Sequence, residues 1–338
     1  MYSFFIGNPY HFKNTKSSQF FIEIVKKIIP DIQITDNIEF IPKFNIHTLI
    51  IWQQLIDPEE IDFLHPKNVI LVPMYDDCPL EIDGWLKYKK YKILCFSKYL
   101  YNLLYENGFN CFYSQYYIKP NVLLGTQIKN NINAFFWERT ERLNWTLIRQ
   151  ICKYLPLSHL HFHTGLTKNI DLTLRPNEEE TKQYNITYTD WFENKDDLNM
   201  ILSNTQIYFA PRKEEGIGMS FIEAIAAGSI VVAYDSSTMN EYINNENGIL
   251  YSENTLPIKA YTVKDLQDIQ AKSIIQAEIG YKKWIDSIPN LLSFISEPML
   301  DYKPKYKISL IKKYGIRFLK KIIKDICFYD FVKSKIFK

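Results

Sequence analysis

Two glutamates, Glu215 and Glu223, lie eight residues apart and have two glycines, Gly216 and Gly218, between them. Glycine lets the backbone approach a ligand closely, and the N–H groups that open a helix at Met219 would attract an anion such as a diphosphate. Carboxylates would repel phosphate, so the two glutamates suit hydrogen bonds from sugar hydroxyls. The spacing therefore predicts a site for a ligand that carries both a diphosphate and a sugar.

A strand–turn–helix–strand unit positions these residues. Residues 207–210 have the length and apolar composition of a buried strand, which Pro211 ends. A helix is predicted over 219–227, with Gly228 at its C-terminus, and a second buried strand over 229–234. Such a unit forms a parallel sheet with a right-handed crossover, so both glutamates can face the cleft beyond the carboxyl ends of the strands.

The same residues are similar to the signature of a known family. Glu215, seven intervening residues and Glu223, with Gly218 between them, resemble the pattern of the family 4 retaining glycosyltransferases. The alanine-rich run 224–228 that follows also fits this pattern. The alternative is an ordinary strand–helix–strand unit whose acidic side chains are solvated.

The resemblance extends over residues 207–250. The runs 240–243 and 247–250 are similar to the family's usual continuation, in which an acidic residue and then a glycine precede a short strand. The sequence departs from the family at Gly216 and Ile217, where a Pro or Gly followed by Phe is more common. The resemblance implies an α/β fold of the GT-B type, in which two Rossmann-like domains face each other across a cleft that holds a nucleotide-sugar.

Roles for individual residues follow from this resemblance. Glu215 would orient the transferred sugar and Glu223 the ribose of the donor. Substitution would take place on the front face of the sugar, with the leaving phosphate helping to deprotonate the acceptor. The residues assigned to donor binding are Arg139, Arg142, Lys213, Gly216, Ile217, Gly218, Met219, Glu223, Tyr188, Thr238 and Met239.

Two arginines follow the first strand of the predicted second domain. In the family this strand leads to an Arg and a Lys that hold the donor diphosphate, so Arg139 takes the Arg position and Arg142 would have to replace the Lys. Arginine suits bidentate contact with phosphate. The family's glycine before the Arg is absent, because Trp137 and Glu138 stand there. The alternative is a solvated start to a helix over 144–154.

Other turns at the same edge of the sheet complete the predicted donor site. Arg212 and Lys213 flank the anion site within the central unit. Thr238 and Met239 lie in the loop after the next strand, which in the family commonly adds backbone N–H contacts to phosphate. The turn near Tyr188 corresponds to the family's turn against the nucleobase.

Asp76 and Asp77 follow a buried strand over 68–72. They therefore lie at the rim of any cleft between the domains. In GT-B enzymes this rim often holds a side chain beside the transferring sugar, so one of the two aspartates could position the acceptor. The alternative is an aspartate that caps a helix or a turn.

Metal binding is predicted to be absent. His159, His161 and His163 share one face of a predicted strand, but the sequence places no carboxylate or cysteine beside them, and only His163 would approach the cleft. No Asp-x-Asp motif occurs, and the five cysteines are widely spaced without a Cys-x-x-Cys motif. The pattern favours neither a zinc site nor a disulfide framework. No cofactor is expected beyond the nucleotide-sugar, which is a substrate.

The length of 338 residues fits two domains. Strands and helices alternate through both halves, with a first strand over 2–6 and a final long helix over 263–288 that Pro289 is predicted to stop. We predict a Rossmann-like acceptor domain and a Rossmann-like nucleotide-sugar domain, then helices that cross back onto the first domain, then a basic tail. Their respective ranges are 1–118, 119–280, 281–300 and 301–338.

The basic tail contrasts with the rest of the chain. Residues 301–338 contain twelve Lys or Arg and three Asp, a net charge of +9, so a total of +2 leaves −7 on the remainder. Apolar residues recur at helical spacing opposite the lysines, which is typical of a helix that lies on an anionic membrane surface. The alternative is a helix docked on the acidic body. The rest of the chain has no nucleic-acid-binding character.

No run of about 18 apolar residues and no signal peptide is recognisable, so we expect a cytoplasmic protein held at the inner face of the plasma membrane. The predicted function is metal-independent transfer of a sugar from a nucleoside-diphosphate sugar to a glycan or lipid-linked acceptor, with retention, in bacterial polysaccharide, lipopolysaccharide or capsule biosynthesis. The alternatives are a GT-B-like nucleotide-sugar epimerase or hydrolase, and a non-catalytic membrane-bound partner in glycan assembly.

Overall fold

The computed structural model describes residues 1–8, 16–42, 45–140, 142–164, 172–190, 192, 195–257 and 259–299. Within them, two six-stranded parallel sheets follow each other along the chain. The first sheet contains β1 (Tyr2–Ile6), β2 (Gln33–Thr35), β3 (Ile46–Gln53), β4 (Asn68–Pro73), β5 (Lys92–Cys95) and β6 (Cys111–Tyr113). The second contains β7 (Asn133–Trp137), β8 (His159–His163), β9 (Ile186–Thr189), β10 (Ile207–Phe209), β11 (Ile230–Tyr234) and β12 (Ile249–Tyr251).

Helices connect most of the strands. The α-helices are α1 (Gln19–Val25), α2 (Pro58–Phe63), α3 (Lys98–Glu106), α4 (Trp145–Cys152), α5 (Glu178–Gln183), α6 (Lys195–Leu202), α7 (Met219–Ala226) and α8 (Val263–Ser296). Single 3-10 turns lie at Ile38–Phe40, Tyr75–Asp77, Ile82–Gly84, Leu86–Tyr88, Leu124–Thr126, Leu172–Leu174 and Met239–Glu241. This alternation confirms the predicted α/β fold with two Rossmann-like sheets.

The order of strands determines where a ligand can bind. The first sheet runs β2-β1-β3-β4-β5-β6 and the second β12-β11-β10-β7-β8-β9. In the second sheet the order in which successive strands are added reverses between β7 and β10. These two strands pair in parallel, from Ile207 opposite Ala134 to Phe209 opposite Phe136. Open parallel sheets bind ligands beyond the carboxyl ends of their strands at such a switch point.

Residues around the first sheet are called the first lobe and those around the second sheet the second lobe. A shared apolar cluster includes Trp52 and Phe96 of the first lobe, Phe135 and Tyr208 of the second, and Trp284 of α8. Two further clusters fill the outer faces of the two sheets. Since one cluster contains residues of both lobes and of α8, the three parts pack as one body over residues 1–299. The predicted domain limits stay a prediction.

The prediction that Pro289 ends the last helix is wrong. Helix α8 continues through Pro289 to Ser296 without a break. Proline in a helix interior removes one backbone hydrogen bond and costs about 3 kcal/mol. The residues beyond it therefore need compensating contacts.

The final turns of α8 obtain these contacts from the first lobe. Leu291 is fully buried, and the Phe294 ring stacks on Phe112 with 5.4 Å between centroids. The buried Lys92 ammonium donates to the carbonyls of Phe294 at 2.7 Å and Ile295 at 3.0 Å. A cation at the carboxyl end of a helix is favourable because it satisfies the terminal carbonyls and complements the helix dipole.

No helix among the residues that the structure describes has both the length and the apolar character needed to cross a membrane. The basic tail over 301–338, for which we predict a surface helix, lies outside the described residues.

Candidate functional site

The site lies where β7 and β10 end side by side. Arg139 follows β7 by two residues, and the segment from Ala210 to Gly218 connects β10 to α7. Because the two strands are hydrogen-bonded neighbours, their carboxyl ends bring Arg139 to the glycine turn. This is the switch point of the second sheet.

Two glycines in this turn have separate functions. Gly218 has a φ of +81°, which glycine adopts readily, and a Cβ there would lie 1.8 Å from the Phe221 ring. At Gly216 a Cβ would lie 2.7 Å from the Met74 Cβ and 2.8 Å from the Asp76 Oδ1. Gly216 therefore brings the turn against the first lobe, whereas the sequence had suggested only an approach to a ligand.

Glu215 is the most confined carboxylate of the turn. Its residue surface is 7% exposed, and its Oε1 has no hydrogen-bond partner among the described residues. Burial raises the pKa of Glu215 to about 7; Arg212 and Arg139 oppose this rise, and Asp76 adds to it. The carboxylate thus lies near two guanidinium groups, and one of its oxygens has no hydrogen bond.

Asp76 reaches this turn from the first lobe. The Arg212 Nη1 donates to the Asp76 Oδ2 at 2.7 Å, and the Asp76 side chain is 17% exposed. Burial raises the pKa of Asp76 although Arg212 opposes it. Asp77 is exposed, and its N–H donates to the Met74 carbonyl. Of the two predicted aspartates, the structure brings Asp76 to the glycine turn.

The three predicted cations have different surroundings. Arg139 lies over the Trp137 ring at 4.8 Å, and burial, then repulsion by Arg212, lowers its pKa. The Arg142 side chain, which is 68% exposed, forms a bidentate ion pair with Glu214. Its Nη1 and Nη2 donate to the two carboxylate oxygens at 2.9 and 3.0 Å.

Lys213 forms an ion pair with Glu253 and lies over the Tyr234 ring at 4.8 Å. Hydrogen bonds from Lys213 and Tyr234 lower the pKa of Glu253 to about 2. Each of the two peripheral cations, Arg142 and Lys213, is therefore matched by its own carboxylate. Arg139 and Arg212 are the pair that lies beside Glu215.

Tyr208 lies near both glutamates of the motif. Its side chain is buried on β10, and burial is the main cause of its raised pKa; a hydrogen bond with Ser220 lowers it, and Glu215 and Glu223 raise it further. Both glutamates therefore lie near one ring, although Glu223 itself is exposed on α7. Nothing in the sequence indicates this role, because Tyr208 fits an ordinary buried strand.

The loop after β11 supports the turn from behind. The Thr238 hydroxyl, which is fully buried, donates to the backbone carbonyl of Glu215 at 2.7 Å and of Gly216 at 3.3 Å. Met239 and Ile217 are buried in the shared apolar cluster, and Met219 packs against it. The side chains of Thr238 and Met239 thus hold the turn in place, and only their backbone could face a phosphate.

Glu241, which sequence reasoning did not select for the site, joins the two lobes. Its carboxylate accepts from the Ser97 hydroxyl at 3.0 Å and from the Lys98 N–H at 2.6 Å. These donors lie at the start of α3 in the first lobe, so a second-lobe glutamate caps a first-lobe helix. Glu241 also accepts from the Tyr99 N–H at 3.4 Å, the Tyr113 hydroxyl at 3.3 Å and the Ser237 hydroxyl at 2.8 Å.

Tyr188 lies on β9, an edge strand two places from β7. Its ring is 45% exposed and contacts Phe162 with 5.5 Å between centroids, and its hydroxyl is 3.2 Å from the Thr181 hydroxyl. Tyr188 therefore lies on an edge strand three places from β10, the strand that the glycine turn follows. Its contact with a nucleobase stays a prediction.

The three histidines of β8 bond to threonines of β9. His161 Nε2 and His163 Nδ1 lie 2.8 and 2.9 Å from the Thr189 hydroxyl, and His163 stacks on Phe192 at 4.6 Å. Burial lowers the pKa of both His161 and His163 to about 4. Within the described part of the chain, no group of His, Cys, Asp or Glu has an arrangement suited to a metal ion.

Comparisons with known proteins concern the fold and one segment. Residues 176–266 match the model of the family described as glycosyl transferases group 1. This segment contains the turn, both glutamates of the motif and Glu241. No curated protein sequence matches the chain.

Solved structures share the fold at low sequence identity. Anabaena HepE in complex with UDP has a TM-score of 0.61 at 10% identity, with 87% of this chain and 98% of that chain covered. The lipopolysaccharide outer core galactosyltransferase WaaB has a TM-score of 0.51 at 12% identity, with coverage of 87% and 97%. The pneumococcal O-GlcNAc transferase GtfA, with UDP and GlcNAc, has a TM-score of 0.51 at 14% identity, with coverage of 75% and 59%.

The chain spans 57% of the chain in the GtfA/B complex structure and 59% of GtfA. Identities this low establish the fold alone, and the fold is that of GT-B proteins. The family match lies in the second lobe, and these neighbours show the fold.

Proposed function

We propose that this chain is a retaining glycosyltransferase that moves a sugar from a nucleoside-diphosphate sugar to a glycan or lipid-linked acceptor. The observation that carries the proposal is Glu215, a buried carboxylate with an unused oxygen beside two guanidinium groups. A diphosphate sugar has a partner for each of these groups: its phosphates can bind the arginines, and its hydroxyls can donate to the carboxylate. HepE and GtfA, which share the fold, were determined with UDP.

Each residue of the site has a role in the proposed reaction. Arg139 and the N-terminus of α7 would hold the diphosphate and stabilise the charge that develops on it as the glycosidic bond breaks. Glu215 would bind the transferred sugar, and Glu223 would bind the ribose. This neutralisation needs no metal, because arginines and backbone N–H groups supply the positive field.

The transfer itself would occur on one face of the sugar. The bond from the anomeric carbon to the diphosphate breaks, the acceptor oxygen bonds to the same face, and the departing phosphate oxygen takes the acceptor's proton. Asp76, at the first-lobe side of the turn, would hydrogen-bond the acceptor hydroxyl. The anomeric configuration is thereby retained.

Removal of either glutamate tests this assignment. We expect Glu215→Ala and Glu223→Ala each to lower transfer at least 100-fold, about 3 kcal/mol of transition-state stabilisation, while circular dichroism shows a folded protein. Glu246→Ala, an exposed glutamate outside the site, is the matched control. Wild-type turnover in both variants would contradict the proposal. NMR of the product gives the anomeric configuration, and product formation without any acceptor would instead favour an epimerase or hydrolase.

For the acceptor we propose a growing surface polysaccharide or lipopolysaccharide, reached by peripheral attachment to the inner face of the plasma membrane. The net charge of +9 on residues 301–338 supports attachment to anionic lipid, and WaaB, a lipopolysaccharide galactosyltransferase by name, shares the fold. The full chain should co-sediment with vesicles that contain phosphatidylserine. Replacement of Lys320, Lys321 and Lys324 by Glu should abolish this binding, and unchanged binding would contradict the attachment.

A further inference from the structure

We propose that Arg212 exchanges its partner when the donor binds: it bonds Asp76 in the unliganded protein and the donor diphosphate in the complex, which releases Asp76 to the acceptor. This inference rests on the proposed function. It makes Arg212 the second diphosphate-binding cation and makes acceptor binding dependent on donor binding.

Arg212 does not use all of its hydrogen-bond donors within the described structure. A guanidinium has five N–H donors, and the contact with Asp76 at 2.7 Å uses the Nη1 atom. The Arg212 Nε is buried and has no hydrogen-bond partner among the described residues. A buried donor without a partner costs about 1 to 3 kcal/mol, so a ligand oxygen that reached it would be favoured.

The charges around Arg212 favour an anion with more than one negative charge. Arg139 lies close enough for the two guanidinium groups to repel each other. The neighbouring acids are Asp76 and Glu215, and burial disfavours the ionised form of both. Two permanent cations therefore share neighbouring carboxylates whose ionised form burial disfavours, and a diphosphate would supply the negative charge that suits them.

Other basic residues near the turn are less suited to this role. Arg142 uses both terminal nitrogens on Glu214, and Lys213 is paired with Glu253. Each would have to break an ion pair at the exposed periphery to reach a ligand. Arg212 would lose a single bond and gain a partner for its buried Nε.

The exchange would couple the two lobes. Asp76 follows β4 in the first lobe, and Arg212 follows β10 in the second lobe. Gly216 keeps the two within reach, because even a Cβ at this position would lie 2.8 Å from the Asp76 Oδ1. Once the diphosphate takes Arg212, the Asp76 carboxylate loses its cationic partner and becomes a stronger hydrogen-bond acceptor for the acceptor hydroxyl. Donor binding would therefore precede acceptor binding.

Calorimetric titration of the full chain with nucleoside diphosphates tests the exchange. UDP and GDP are the probes, and uridine and guanosine are the matched ligands without phosphate. Arg212→Gln should weaken binding of the diphosphate roughly 10- to 100-fold and leave nucleoside binding unchanged. Arg149→Gln, which removes an arginine paired with Glu180, should change neither.

Asp76→Asn should tighten diphosphate binding about threefold or more, because it removes the competitor for Arg212. This gain should vanish in the Arg212→Gln background, whereas Asp83→Asn, an exposed first-lobe aspartate, should have no effect in either background. An equal gain from Asp76→Asn with and without Arg212 would overturn the exchange, as would an Arg212→Gln protein with wild-type affinity. Failure of the wild-type chain to bind either diphosphate would overturn the proposed function itself.

Discussion

Two glutamates of the second lobe face the first lobe, and they differ in how far their hydrogen-bonding capacity is used. Glu241 accepts from five donors, and both of its oxygens are engaged. Glu215 is 7% exposed and keeps one oxygen without a partner among the described residues. Two side chains of the same type at the same boundary therefore differ: Glu241 is fully hydrogen-bonded, and Glu215 is not.

The physical cause lies in the neighbouring elements. Glu241 meets the start of α3, where free N–H groups and the helix dipole stabilise a negative charge. Glu215 meets Asp76, which repels it, and two arginines whose other partners compete for them. Full satisfaction is expected of a residue that joins lobes, and incomplete satisfaction of one that awaits a ligand. We infer that Glu241 is structural and Glu215 functional.

Removal of Glu241 should have the larger effect on stability. Glu241→Ala would leave the donors at the start of α3 without their acceptor, which we expect to lower the free energy of unfolding by about 3 kcal/mol. Urea denaturation of the full chain measures this change. Stability equal to that of the Glu246→Ala control would show that the α3 contact contributes nothing.

Glu215→Gln should raise the stability of the protein at alkaline pH, whereas Glu241→Ala lowers it. Burial raises the pKa of Glu215 to about 7, so the folded state favours the protonated form, and stability is lost as pH rises from about 4.5 through 7. At pH 8 the neutral amide should therefore stabilise the protein by about 1 to 3 kcal/mol. A higher Tm at pH 8 but not at pH 4 is the expected result.

The histidines of β8 also make stability depend on pH, and their contribution must be distinguished from that of Glu215. His161 and His163 have a pKa lowered to about 4, so their contribution to stability is lost as pH falls from about 6.5 through 4. This trend runs against that of Glu215 between pH 4.5 and 6.5. The difference between the wild-type and Glu215→Gln curves cancels it, and a flat difference would contradict the raised pKa of Glu215.

The smallest expected effect on stability comes from loss of the Thr238 hydroxyl, which bonds the backbone of the turn. Thr238→Val keeps the shape of the side chain but removes the hydroxyl that donates to the Glu215 carbonyl at 2.7 Å. We expect a loss of about 1 kcal/mol in stability and a several-fold decrease in transfer, because Glu215 would be held less firmly. An unchanged transfer rate would show that the turn keeps its geometry without Thr238.

Much of the fold was predictable from local pattern. The unit from Ile207 to Tyr234 has long buried runs, a glycine turn and a helix-ending glycine, and the structure has each element there. The short strand β2 and helix α2 were missed, because segments of three and six residues are too short to show a periodicity. The helix end at Pro289 was wrong because contacts with the first lobe outweigh the local cost of proline.

The site was predictable only where its residues follow a strand end that the local sequence marks. Glu215, Gly218 and Arg139 follow from the sequence around each strand end. The bond from Arg212 to Asp76 joins residues 136 positions apart, and the contact between Glu241 and Lys98 joins residues 143 apart. Spacing within a segment carries no information on such pairs. These contacts become visible only when the packing of the two lobes is known.

Glu215 keeps one oxygen without a partner among the described residues, and we propose that this oxygen binds the transferred sugar. The direct measurement is the affinity of the full chain for a nucleoside diphosphate and for the corresponding diphosphate sugar, in wild type and in Glu215→Gln. We predict that the variant keeps or slightly increases its affinity for the diphosphate and loses the additional affinity that the sugar provides. An unchanged preference for the diphosphate sugar in Glu215→Gln would contradict the claim.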